Sequence, residues 1–207
     1  QHCEQALTNY EHQLQRYMQG ATMLSYCPDH VRARIISLGE RLSVAILDAV
    51  LQQSAIQASI LSPEKFLYTN DVSLNAVADL VLCKEKFQSE YSALNQISLM
   101  PGFIGVGVFS ESIYGEGNAE QVTTLGRNGS DYSAAVLAVC VSAECCEIWT
   151  DVDGVYNADP RMIKEATLLD YLSYQEAMEL SYFGASVLHP KTIGPIAQFH
   201  IPCLIKN

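Results

Sequence analysis

The stretch from Thr123 to Arg161 reads TTLGRNGSDYSAAVLAVC (123–140), VSAECC (141–146) and EIWTDVDGVYNADPR (147–161). Val122 to Leu125 is a short β-prone run that breaks at Gly126-Arg127-Asn128-Gly129-Ser130-Asp131. Tyr132 to Val141 is rich in Ala, Val and Leu without a breaker, as expected of a helix laid against a sheet. Ser130 or Asp131 would cap that helix. A strand that runs through a glycine-rich turn into a helix N-terminus presents backbone N–H groups and a helix dipole to an anion. Arg127 adds a planar cation suited to a carboxylate or phosphate. The alternative reading of the same residues is an ordinary turn with Asp131 as the helix cap.

The second half repeats this logic. Glu147 to Thr150 reads as a buried strand, and a polar loop from Asp151 to Arg161 follows at its carboxyl end, where open α/β sheets bind ligands. Asp151, Asp153 and Asp159 suggest a calcium loop at first sight. Gly154 and Val155 break the alternating oxygen register that an EF-hand requires, so the pattern argues against calcium. The loop fits a nucleotide better, with the Tyr156 ring offered to a base or sugar and Arg161 to a polyphosphate.

Outward from this unit, the chain alternates helices and short apolar segments. Helices are expected from about Glu4 to Met18, Ile35 to Leu51 and Val72 to Phe87. In the second of these, Ile35, Leu38, Leu42, Ala45, Ile46 and Ala49 recur at helical spacing, which leaves Glu40 toward the margin of the buried face. A strand at Ile97 to Met100 and a hairpin within Gly102 to Leu125 come next. Ser173-Tyr174-Gln175-Glu176 has the form of a capping box opening a helix to Phe183, which Gly184 would end. A short helix from Thr192 to Phe199, with His189 a structural histidine at its start, precedes the strand Ile201 to Ile205. The pattern predicts an α/β three-layer sandwich, α/β/α, with a mainly parallel central sheet.

Composition narrows the function classes. A formal net charge of -11 over 207 residues argues against a nucleic-acid partner. No apolar run has the length to span a bilayer and no signal pattern opens the chain, so no membrane partner and a cytoplasmic location are expected. Seven cysteines without zinc spacing read as buried thiols, and no metal site is assigned.

TTLGRNGSDYSAA, WTDVDGVYNADPR, SYQEAMELSYFGASVLHPKTI and the closing IPCLIKN resemble, in this order, the amino-acid kinase domain of the aspartokinases, and most of all the kinase half of the bifunctional aspartokinase/homoserine dehydrogenases. The resemblance is dense from Leu99 to Asn207, extends to Cys27 through Leu47, and is weak between Gln52 and Gln96. It implies a single partial kinase domain over residues 1–207, without the ACT and dehydrogenase domains of the family.

The implied reaction moves the γ-phosphoryl group of ATP, with Mg2+, onto the side-chain carboxylate of L-aspartate, giving 4-phospho-L-aspartate for lysine, threonine and methionine biosynthesis. The resemblance also implies a homo-oligomer in the full-length protein. It places Glu40 on the substrate ammonium, Arg127 on a substrate carboxylate, and Ser130 and Asp131 beside the aspartate, with Asp131 the position nearest to a catalytic role. Thr150, Asp151, Tyr156, Arg161, Ser186 and Val187 match nucleotide positions. Such a transfer is catalysed by alignment and charge neutralisation more than by a base, since an aspartate side chain is already ionised at neutral pH.

Two departures from the family stand out. Aspartokinases open on a strand and a Lys-Phe-Gly-Gly-Thr-Ser-like loop whose lysine serves the transferred group, and this chain contains no such motif. The glycine-rich Pro101 to Gly107 segment matches a family active-site loop but carries no lysine. Ser186 stands where the family has a nucleotide-proximal lysine, and Lys191 lies five positions further on. These departures give two expectations: a piece of an aspartokinase that is inactive by itself, or a non-catalytic kinase-like domain that binds or associates. A family member acting on glutamate or a nucleotide fits Glu40 and the SYQEAMELSYFGA segment less well.

Overall fold

A computed structural model describes residues 2–112, 115–158, 162–182 and 188–207. It divides into two compact units, Gln1–Ser130 and Asp131–Asn207.

The first unit opens with a pair of packed helices, α1 (His2–Leu24) and α2 (Asp29–Gln53). Both run longer than the apolar spacing suggests. Helix α2 buries Ala33, Ser37, Leu38 and Asp48, and Asp48 is kept there by the Gln52 side-chain amide, which donates to its carboxylate at 2.7 Å. Ile46, expected inside, is 47% exposed: the buried face is narrower than the apolar stripe. Arg41 pairs with Glu64 in the 3-10 turn Pro63–Lys65, and the Ser62 hydroxyl donates to the other Glu64 oxygen at 3.1 Å.

Strands β1 (Ser59–Ile60) and β3 (Ser98–Leu99) pair in parallel. Strand β2 (Tyr68–Thr69) runs parallel to β4 (Ile104–Ser112), which pairs antiparallel with β5 (Gly115–Thr124) from Ile104↔Thr124 onward. The hairpin is thus present, and Val122 to Thr124 form the end of β5. Phe66, Leu67, Ile104 and Leu125 are fully enclosed around this sheet, each worth roughly 1.5–3 kcal/mol of burial. Phe66, Phe87 and Tyr91 stack edge-on or tilted at 4.9–6.0 Å, which fastens α3 (Leu80–Glu90) to the turn before β2.

That helix corrects the expected Val72–Phe87. Asp79 caps it, accepting from the Val81 and Leu82 amides at 3.1 and 3.0 Å. Residues before it are committed elsewhere: Leu74 bridges Thr124, and the Asn70 amide donates to the Val77 carbonyl at 3.0 Å. Pairing to a neighbouring strand therefore overrides local helical propensity.

The second unit holds α4 (Gly129–Cys140, its first two residues lying before the division), β6 (Cys146–Trp149), α5 (Tyr174–Tyr182), α6 (Pro190–Gln198) and β7 (Cys203–Lys206). Strands β6 and β7 pair in parallel, Cys146↔Cys203 to Trp149↔Lys206. Ala135, Ala138 and Val139 of α4 pack with Cys146, Ile148, Ile196 and Ile201 into one buried cluster. Strand β7 starts two residues later than expected because Pro202 has no N–H to give to a ladder; its carbonyl instead accepts from the Cys146 amide at 2.8 Å.

The capping box is present in full: the Ser173 amide donates to Glu176 at 2.8 Å and the Glu176 amide to the Ser173 hydroxyl at 3.2 Å. His189 caps α6, its Nδ1 accepting from the Lys191 amide at 3.2 Å. The stop at Gly184 lies outside the described residues. Among the described cysteines, Cys83, Cys140 and Cys146 are buried, whereas Cys145 is exposed, which corrects the reading of all of them as interior thiols. Cys146 opens β6 on its buried side, whereas Cys145 lies just before the strand. Among the described residues three of the four ladders are parallel, so the fold is α/β and mainly parallel.

Candidate active site

The turn Gly126 to Ser130 belongs to the first unit and is held by unusual backbone. Gly126 has φ +82°, and the neighbouring Asn75, Phe103 and Asn128 take φ of 63°, 68° and 55°. Positive φ is costly for a side chain as bulky as phenylalanine and persists only where surrounding structure over-determines it. Here the determinants are visible. The Leu125 amide donates to the Phe103 carbonyl at 2.9 Å, and the Ala76 amide to the Thr124 carbonyl at 2.8 Å. A Cβ on Gly126 would stand 2.3 Å from Asn75 Oδ1, and one on Gly102 would stand 3.1 Å from Ser130 Cα.

Pro101 to Phe103 therefore lie directly against the Arg127–Ser130 turn. The expected glycine loop is shorter than Pro101 to Gly107, since Ile104 onward is strand β4. Gly105 there serves close approach to β2: its Cβ would meet Leu67 O at 2.9 Å. Helix α4 begins at Gly129, so Ser130 and Asp131 occupy its first turn, one or two places past the cap expected of them. An acidic side chain in that turn is favoured by the helix dipole. Arg127 and Ser130 are exposed and Asp131 half-buried. Glu40, midway along α2, is half-buried and makes no hydrogen bond or ion pair among the described residues. A carboxylate in that condition is suited to a cationic partner.

The second unit carries the loop expected to serve a nucleotide. Thr150 directly follows β6, its amide donating to the Lys206 carbonyl at 2.8 Å and its hydroxyl to Asp151 Oδ1 at 3.2 Å. Beyond it the chain folds back on itself: Tyr156 bridges Leu168, the Asn157 amide donates to the Thr167 carbonyl at 3.1 Å, and the Leu169 amide to the Val155 carbonyl at 2.9 Å. This holds Tyr156 half-buried and leaves Asp151 exposed. Arg161, Ser186 and Val187 lie outside the described residues.

Two cations sit near these elements without having been assigned from sequence. Lys206 donates to Glu147 at 2.6 Å, which holds that carboxyl below its usual range, and its ammonium lies 5.4 Å from the centre of the exposed Trp149 ring. Lys191, in the first turn of α6, has its ammonium 5.9 Å from the ring of Tyr132, beside Asp131, and burial lowers its pKa. Only the β6–β7 register and the α4–α6 packing reveal these neighbours; no local motif announces them.

A glycine-rich strand–turn–helix and a polar loop after a strand end are the elements on which α/β proteins bind phosphate-bearing ligands. Residues 5–207 match the model of the amino acid kinase family, and the chain belongs to that family. It is 51% identical over 197 residues to the bifunctional aspartokinase/homoserine dehydrogenase of Buchnera aphidicola, covering 94% of this chain and 23% of that protein. It is 35% identical over 171 residues to lysine-sensitive aspartokinase 3 of Escherichia coli, covering 83% of this chain and 36% of that protein. Among solved structures, E. coli aspartokinase III in complex with aspartate and ADP superposes with a TM-score of 0.78 at 31% identity, over 95% of this chain and 43% of that one. The chain thus has the amino-acid kinase fold and is an aspartokinase-like kinase domain that spans less than a quarter of the bifunctional relative's length.

Proposed function

We propose that this chain is the kinase part of an aspartate kinase, transferring the γ-phosphoryl group of ATP to the side-chain carboxylate of L-aspartate to give 4-phospho-L-aspartate. The observation that carries this reading is the over-determined turn at Gly126 to Ser130, which presents Arg127 and Ser130 from a backbone that a plain connection would not need. Its likeness to an aspartokinase holding aspartate and ADP supports the choice of substrates.

In this reading Arg127 takes a substrate carboxylate through its planar fork and Glu40 takes the ammonium. Ser130 and Asp131, in the first turn of α4, orient the acceptor, with Asp131 nearest to the reacting groups. Thr150, Asp151, Tyr156, Arg161, Ser186 and Val187 serve the nucleotide. Magnesium would arrive with the nucleotide phosphates, as is usual in kinase sites, and the exposed Asp151 carboxylate is a hard oxygen ligand of the kind it accepts. The bound cation would offset charge on the transferred group. Serine at position 186 also supports a second reading, a kinase-like domain that binds these ligands without turnover.

Calorimetry with L-aspartate and with ADP tests the assignment. Arg127→Ala should weaken aspartate binding on the order of 100-fold, the loss of a bidentate charge-assisted contact, while leaving ADP binding intact. Asp151→Ala should do the reverse. Aspartate binding that survives Arg127→Ala unchanged, or is absent from the unaltered chain, would overturn the reading.

A further inference from the structure

Cys146 and Cys203 are register partners on the first rung of the parallel β6–β7 ladder, and both pack in the same cluster with Ala135, Ile148 and Ile201. Neighbouring parallel strands run about 4.8 Å apart, which falls inside the window of Cα separations that a disulfide spans. Registered residues on adjacent strands also point to the same face, so the two sulfurs converge. The two thiols perturb each other: interaction with Cys203 lowers the pKa of Cys146, while interaction with Cys146, together with burial, raises that of Cys203. Cys146 is 6% exposed, Cys203 is half-buried, and Cys145 next door is exposed.

We propose that Cys146 and Cys203 are a modification site, a dithiol that a peroxide closes into an inter-strand disulfide and a small thiol reopens. In the first step Cys146 Sγ attacks hydrogen peroxide: the O–O bond breaks, an S–O bond forms, and one water leaves. In the second, Cys203 Sγ attacks the sulfenic sulfur, the S–O bond breaks, the S–S bond forms, and a second water leaves. The two thiol hydrogens end in the two waters, and the peroxide is the oxidant. Disulfides between adjacent strands need the Cβ atoms drawn to about 3.8 Å, so reduction by an ordinary thiol restores the pair. The bond would fasten β6 to β7 at the end of the ladder opposite Thr150, making the strand that carries the nucleotide-type loop sensitive to oxidants.

The test oxidises the folded chain with hydrogen peroxide, blocks remaining thiols, and maps disulfides by peptide mass. The expected product is a single linked pair, Cys146 with Cys203, lighter by two hydrogens, lost on dithiothreitol treatment and kept in Cys145→Ser. Oxidation of the same chain in urea should lose this selectivity and give mixed pairs, a comparison that needs no variant to fold. Two outcomes would overturn the proposal: Cys146 and Cys203 both still blockable after oxidation and unfolding, or linkage to Cys145 or between chains as the main product.

Discussion

The two loops that the sequence singles out, one in each unit, are built by opposite means. Around Gly126 to Ser130, left-handed residues from three separate segments interlock, and backbone hydrogen bonds from Leu125 and Ala76 hold them over a fully buried core. The Thr150 to Leu169 excursion leaves the end of a short ladder and is closed by a few backbone contacts near Tyr156, with Asp151 and Met162 in solvent. Rigid preorganisation suits the recognition of a small charged acceptor, since an ångström of misplacement is costly there.

The sharpest way to break this contrast is the same substitution in both loops. Gly126→Ala should destabilise the protein by about 3 kcal/mol in urea unfolding, because the added methyl meets Asn75 in a left-handed backbone. Gly154→Ala, at φ +152° and 3.0 Å from the flexible end of Leu168, should cost about 1 kcal/mol. Equal costs would show the first turn to be no more constrained than the second.

A smaller effect comes from the helix that follows the second loop. Ser173→Ala removes half of the capping box and should cost about 1 kcal/mol. Hydrogen bonds from the Ser173 hydroxyl and amide hold Glu176 below the usual carboxylate range. The stability they supply is present above the ordinary carboxyl pKa and lost as pH falls through the lowered one. Acid titration of the amide protection of α5, with Glu176→Gln as control, checks the sign.

At alkaline pH the first region should respond instead. The Tyr68 hydroxyl donates to Glu120 at 2.6 Å, which, with burial, raises its pKa to about 12. That contribution is intact below the ordinary tyrosine value of about 10 and is lost as pH rises toward about 12. Tyr68→Phe should flatten the alkaline limb of the stability profile of the β2–β4–β5 sheet and leave α5 untouched, as amide exchange resolved by residue would show.

Much of the local structure around the candidate residues was legible in the chain itself. Glycine breaks flanking β-prone runs located both loops, and the Ser173–Glu176 spacing foretold a cap that the structure contains in full, because caps and turns are governed by residues within a few positions of each other. The two-residue strands β1 and β2 escaped notice, being too short to show any period. The early helix start at Val72 failed for a related reason: Leu74 and Asn70 answer to partners in β5 and at Val77 that no local pattern encodes.

By itself, then, the sequence determined the α/β class and the order of the motifs, and it nominated Glu40, Arg127, Asp131 and Asp151 as candidates, all from short-range chemistry and a family resemblance. Only the tertiary structure decided that Phe103 and Asn75 force the Arg127 turn into shape, that Lys191 lies over Tyr132, and that Cys146 meets Cys203. Each of those depends on segments distant in the chain being brought into register, and register is fixed by packing.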